Sequence, residues 1–153
     1  MKSIYPSKKE ILQEKPTFKD GVIEITKLWK KTAFKGWNKK EKWIKLESLG
    51  LLIEALSVLH KKGSPRIILG EMYYYNPKEK IICLDANHPS IISTLHEFGH
   101  YLYGKSELKA CQWSVWLFIE SFPELYAKLE WKDHMLIKKK PPYENDNPAR
   151  KRN

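Results

Sequence analysis

A chain of 153 residues is long enough for one domain with a real core and short for two, and its 42% hydrophobic and 30% charged residues describe a soluble globular protein, not a disordered one. The net charge of +10 comes from lysine clusters spread along the chain, which reads as a positive solvated surface and leaves an acidic partner, protein or nucleic acid, open. A membrane span is excluded because the most apolar stretch, Leu49 to Leu59, is interrupted by Glu54, and no apolar run follows the lysines of Met1 to Lys9 as a secretory signal would need.

Residues 1–40 form a basic N-terminal segment, irregular where Pro6 and Pro16 stand among lysines. Within it, Val22 to Thr32 fits either a helical or a strand period and is read as a helix, followed by a lysine-rich turn over Lys35 to Lys40. From Lys42 to Lys62 apolar residues recur at three- and four-residue steps (Trp43, Leu46, Leu49, Ile53, Leu56, Leu59), which predicts a long helix ended by Gly63 and Pro65.

Arg66 to Tyr75 and Glu79 to Asp85 are rich in strand formers and flank Asn76-Pro77-Lys78-Glu79, a type I turn sequence, so a hairpin is expected. The next helix is predicted over Pro89 to Tyr103, with Asn87 as cap candidate and Gly104 as its stop. Ser106 caps a further helix to about Ser121, Pro123 breaks it, and a short helix is expected over Glu124 to Ile137. The chemistry-bearing domain thus spans 41–138, and the polar, proline-rich, basic tail at 139–153 reads as disordered. The fold class is α+β. Cys83 and Cys111 sit in apolar patterns without Cys-x-x-Cys spacing and are expected to be buried thiols in a reducing cytoplasm.

His96-Glu97-Phe98-Gly99-His100 carries the chemistry. Helical residues four apart differ by about 40° in direction and about 6 Å in height, so the two imidazoles can converge on one zinc ion with bonds of about 2.1 Å. Glu97 is turned about 100° from His96, which suits a general base beside the ion's open position better than a ligand. Ile91, Leu95, Phe98 and Leu102 share the opposite face and fix the helix on a core, while Gly99 lets another backbone come close. A third ligand is needed. Glu107 and Glu120 are the candidates; they point about 220° apart on one helix, so both cannot serve.

Ser93-Thr-Leu-His96-Glu-Phe-Gly-His100-Tyr-Leu, followed by Glu107-Leu-Lys-Ala110-Cys-Gln-Trp113-Ser114, resembles the ImmA/IrrE-type metallopeptidases. Those proteins carry a His-Glu-x-Gly-His helix and then a Glu-x-x-Ala-x-x-aromatic-small segment. The resemblance covers about residues 42–122. It implies a compact zincin-like domain, one Zn2+, His96, His100 and Glu107 as ligands and Glu97 as base. It further implies a protein substrate, of which a helix-turn-helix repressor is the family's frequent example. The link between the motifs is only six residues, and Leu117-Phe118-Ile119 replaces the family's Leu-Leu-x-Pro continuation.

His88, His134, Tyr101, Tyr103 and Tyr126 are candidates to polarise a substrate carbonyl, and none is singled out. The strand preceding the active helix could align an extended peptide, with Ile82 and Leu84 as the positions where proline would interfere. Two other classes of function stay open. One is a catalytically inactive zinc module that holds nucleic acid or an acidic protein, and the other is a toxin or antitoxin component whose partner blocks the cleft.

Overall fold

The computed structural model describes residues 5–139. Helix α1, Lys8–Gln13, forms where the sequence reads as irregular, because Ser7 and Glu10 make a reciprocal capping box around its first turn. Helix α2 is Val22–Ala33 and is followed by a single 3-10 turn, Trp37–Lys39. Val22, Trp29 and Trp37 are buried in the same core as Leu49, Leu52 and Phe98, so part of the basic N-terminal segment is core material.

Helix α3, Lys42–Leu59, stops three residues before the predicted end. Lys61, at φ 55°, takes the left-handed position expected of Gly63; its N–H donates to Val58 O, and that of Lys62 donates to Ser57 O. Those two bonds make a Schellman ending, which satisfies the last carbonyls without a glycine. Leu46, Leu49, Leu52, Ile53 and Leu56 are buried, while Trp43 turns outward with its indole N–H on Glu41.

The predicted strand over Arg66 to Tyr75 is two strands. Strand β1, Arg66–Gly70, runs parallel to β3, Ile81–Asp85, and β2, Tyr74–Asn76, runs antiparallel to it, giving the order β1-β3-β2. Only β2 and β3 form the expected hairpin; Asn76 Oδ1 accepts from the N–H groups of Lys78 and Glu79 at 3.0 and 3.2 Å. The chain turns away after Gly70, which places β1 on the far side of β3 and makes β3 the central strand. That explains why Ile82 and Leu84 are fully buried.

Helix α4, Ile91–Tyr103, begins at Ser90 and not at Asn87, whose N–H is taken by Asp85 Oδ1 in a preceding turn. Ser90 Oγ accepts from Ser93 N–H, and the Tyr73 hydroxyl accepts from Ser90 N–H at 2.7 Å. The tyrosine thereby pins the start of α4 to the segment between β1 and β2. Tyr73→Phe removes the hydroxyl that accepts from Ser90 and leaves a half-buried N–H without it, a change expected to cost about 1–3 kcal/mol. A thermal melt checks this: an unchanged midpoint would show that water replaces the hydroxyl without loss.

Helix α5, Glu107–Ser121, has Ser106 as its cap, with Oγ accepting from Lys109 N–H. The helix expected over Glu124 to Ile137 is instead a five-residue α6, Pro123–Ala127, and an antiparallel pair, β4, Leu129–Lys132, with β5, Met135–Lys138. Leu129 and Trp131 are half-buried and Glu130 and Lys132 exposed, a period of two that favours a strand, and Asp133 at φ 57° makes the turn. Among the described residues there are six α-helices and two small sheets, a mixed α and β fold, and no helix is long and apolar enough to cross a membrane. Apart from Lys139, the segment expected to be disordered lies outside the described residues.

Candidate metal centre

The apolar face of α4 positions the site. Ile91, Leu95 and Phe98 are buried, and the Phe98 ring packs against His60, Tyr101 and Trp113. On the neighbouring face, Gly99 meets α5 so closely that a Cβ built there would lie 3.0 Å from both Cα and O of Ala110. Contact at that distance brings the first turn of α5, with Glu107, beneath the histidines.

Both imidazoles then converge on one carboxylate. His96 Nε2 lies 2.8 Å from Glu107 Oε1, His100 Nε2 lies 3.0 Å from Oε2, and the two rings stand nearly perpendicular with centroids 4.8 Å apart. His100 Nδ1 donates to the Gly104 carbonyl at 2.7 Å, the outer-nitrogen anchor that a metal-ligating histidine ordinarily has. In a neutral His100 this leaves Nε2 as a lone pair facing a carboxylate oxygen. Two acceptors at that separation need a cation between them, either a proton or a metal ion.

The residues fit a metal ion. In a tetrahedral zinc site with bonds of about 2.1 Å, neighbouring donors stand about 3.4 Å apart, so the carboxylate would draw back by about half an ångström. Two imidazoles and a carboxylate are also a usual zinc donor set. Glu120, the other candidate ligand, is not brought to the histidines. It pairs with Lys15 and lines a different cavity with Lys27 and Lys31.

Cys111 was legible only as a buried thiol, yet it belongs to this cluster. It lies one turn after Glu107, and its Sγ is 3.7 Å from His96 Nδ1 and 3.8 Å from Glu107 Oε1. His96, Glu107 and Cys111 form a group that could hold a metal ion: each presents one ligand atom, and all three atoms lie within 4.8 Å of one another. His100 joins the cluster through Glu107. The signal available in the sequence was the four-residue step from Glu107 to Cys111, which puts both on one helix face. Both cysteines are free thiols.

Glu97 is 8% exposed, and burial pushes its carboxyl up to about 7; Glu107 adds to the rise and His100 opposes it. Burial also holds His96 below the usual imidazole range, against the pull of Glu107, which favours the neutral ring that binds a metal. The Cys111 thiol is pushed up to about 12, first by burial and then by the Glu107 carboxylate.

Two cavities of about 380 Å³ each meet at His96, Glu97 and Glu107. One is bounded by Tyr74 and Tyr75 of the edge strand β2 and by His100. The other is lined by Ile92, Val115, Leu136 and His134. Ile82 and Leu84, where a peptide-aligning edge was expected, are in the central strand: both pair with β1 and Ile82 also with β2, so the edge strand beside the cavity is β2. Of the candidate carbonyl polarisers, His134 lines a cavity with His96 and Glu97, and its ring stacks on Tyr5. Tyr101 donates to Gly63 O, Tyr126 accepts from Trp131, His88 is exposed, and Tyr103 is 40% exposed.

No protein-family model matches the chain, and no curated protein or solved structure is similar to it.

Proposed function

We propose that this chain is a zinc-dependent peptidase with a zincin-like domain of the ImmA/IrrE type, acting on a protein substrate in the cytoplasm. The observation that carries the reading is the convergence of both Nε2 atoms, one helical turn apart, on the Glu107 carboxylate, with the buried Glu97 beside them. His96, His100 and Glu107 would hold one zinc ion. When bound, zinc acts as a Lewis acid that lowers the pKa of water and polarises a carbonyl.

The remaining work falls to the protein's own groups. Glu97, with a carboxyl near neutrality, takes the proton that water loses as it attacks and passes it to the departing amine. Strand β2, which borders the cavity containing both histidines, has an outer edge unpaired among the described residues, along which an extended peptide can pair. A helix-turn-helix repressor is the substrate that the family resemblance suggests, and two free thiols suit a reducing compartment.

Metal analysis of the purified chain tests the core of this reading. One equivalent of zinc is expected, lost together with hydrolysis of an unfolded protein substrate on chelation and regained on adding zinc. A chain that neither carries zinc nor takes it up would overturn the proposal.

A further inference from the structure

Glu107 and His96 each face two ways. The His96 ring turns Nε2 towards the carboxylate and Nδ1 towards Cys111 Sγ, at 2.8 and 3.7 Å, while Glu107 Oε1 is shared between that Nε2 and the sulfur, at 2.8 and 3.8 Å. Donors in a tetrahedral site with metal–nitrogen or metal–oxygen bonds of about 2.1 Å and metal–sulfur bonds of about 2.3 Å stand about 3.6 Å apart. The two separations measured from Sγ match that edge length, and the third edge, from His96 Nδ1 to the carboxylate, closes when Glu107 leaves Nε2 and swings towards Cys111, since the three ligand atoms spread over up to 4.8 Å. Cys111, though buried, lines the cavity that reaches His96 and Glu97, so a small ion has a route to it.

We propose that His96 Nδ1, Glu107 and Cys111 form a second, thiophilic metal position that overlaps the His96–His100–Glu107 position and excludes it. It rests on the reading of this cluster as a metal centre and adds a soft-ion specificity to it. Binding breaks the Cys111 S–H bond, forms a metal–sulfur bond and releases the proton to solvent. A neutral imidazole binds one ion at a time, so an ion on Nδ1 leaves Nε2 protonated and unable to serve the hydrolytic position. His100 takes no part, since its Nδ1 is occupied by Gly104 and its Nε2 faces Glu107 from the other side. Thiolate donors select soft ions, so cadmium prefers the sulfur position and inhibits, whereas zinc can use either.

The test uses the full-length, metal-free protein titrated with cadmium, read by its sulfur-to-cadmium charge-transfer absorption in the ultraviolet. Wild type is expected to take up one cadmium with that band. His100→Ala is expected to keep both, while Cys111→Ser and Cys111→Ala lose the band. Their cadmium affinity should fall by more than the roughly 100-fold that loss of an outer-shell partner costs. Cadmium bound without the band, or lost in His100→Ala and retained in the Cys111 variants, would overturn the second position and leave the hydrolytic one standing. No uptake of either cadmium or zinc would bring down both.

Discussion

Glu97→Gln is expected to retain one equivalent of zinc and to lose hydrolysis by about 100-fold to 10,000-fold, the contribution of a positioned general base. His96→Ala, in contrast, loses the ion itself. The pairing separates roles because Glu97 lines the cavity beside the Glu107-centred cluster, whereas His96 is bonded to Glu107 directly. The same substitution has a signature in the metal-free protein. The folded-state pKa of Glu97 is raised to about 7 from an ordinary 4.5, so folding favours its protonated form. Stability from that group is fully present below pH 4.5 and is lost as pH rises through 7. Glutamine is neutral throughout, so the metal-free variant should gain on wild type across that window, by up to about 3 kcal/mol. Denaturant melts at pH 4.5 and pH 8 measure it. A variant that keeps zinc and full activity would remove Glu97 from the chemistry, and a constant stability difference would remove its burial from the argument.

Gly99→Val should break the site without touching a ligand. Its Cβ would sit 3.0 Å from the Ala110 backbone, which is not a flexible side chain that can swing aside, so α4 and α5 must part. Overpacking of this kind costs about 1–3 kcal/mol, and the added branch in mid-helix increases it. Ala110 is one turn from Glu107, so the carboxylate moves with it, and zinc affinity should fall on the order of 10-fold to 100-fold. Gly99→Ala gives a smaller effect in the same direction. Calorimetry and zinc titration read the two losses together; a valine variant that melts and binds as wild type does would show that the helices tolerate separation.

The elements that a sequence pattern made legible are those governed by local rules over many residues. Helices α3, α4 and α5 each repeat apolar positions over three turns or more, and Ser106 before Glu107 is a cap whose chemistry is complete within four residues. The close approach at Gly99 was also legible, because a glycine inside an amphipathic helix has few other uses, and the structure sets it against Ala110. What escaped was decided by partners distant in sequence. Nothing local marks the break between Gly70 and Tyr74, since both halves are strand formers and only the pairing of each with β3 separates them. Leu129 to Lys138 carries too few residues for its alternation to outweigh a helical reading, and Asp133 at a positive φ gives no clearer warning than any aspartate. Lys61 replaced the expected glycine at the end of α3 because two backbone bonds outweigh the strain of one left-handed residue. Cys111 was concealed by its own hydrophobicity, which fits the apolar side of α5 as well as it fits the cluster.

Helix α4 ends at Tyr103 and α5 begins at Glu107, with only Gly104, Lys105 and Ser106 between them. Every donor discussed therefore comes from a single helical hairpin, and the chain gathers them within the 16 residues from His96 to Cys111. So short a closure forgoes little chain entropy. The grip on an ion depends on whether two neighbouring helices remain zipped, and an ion seated there would act in turn as the clasp that holds them shut.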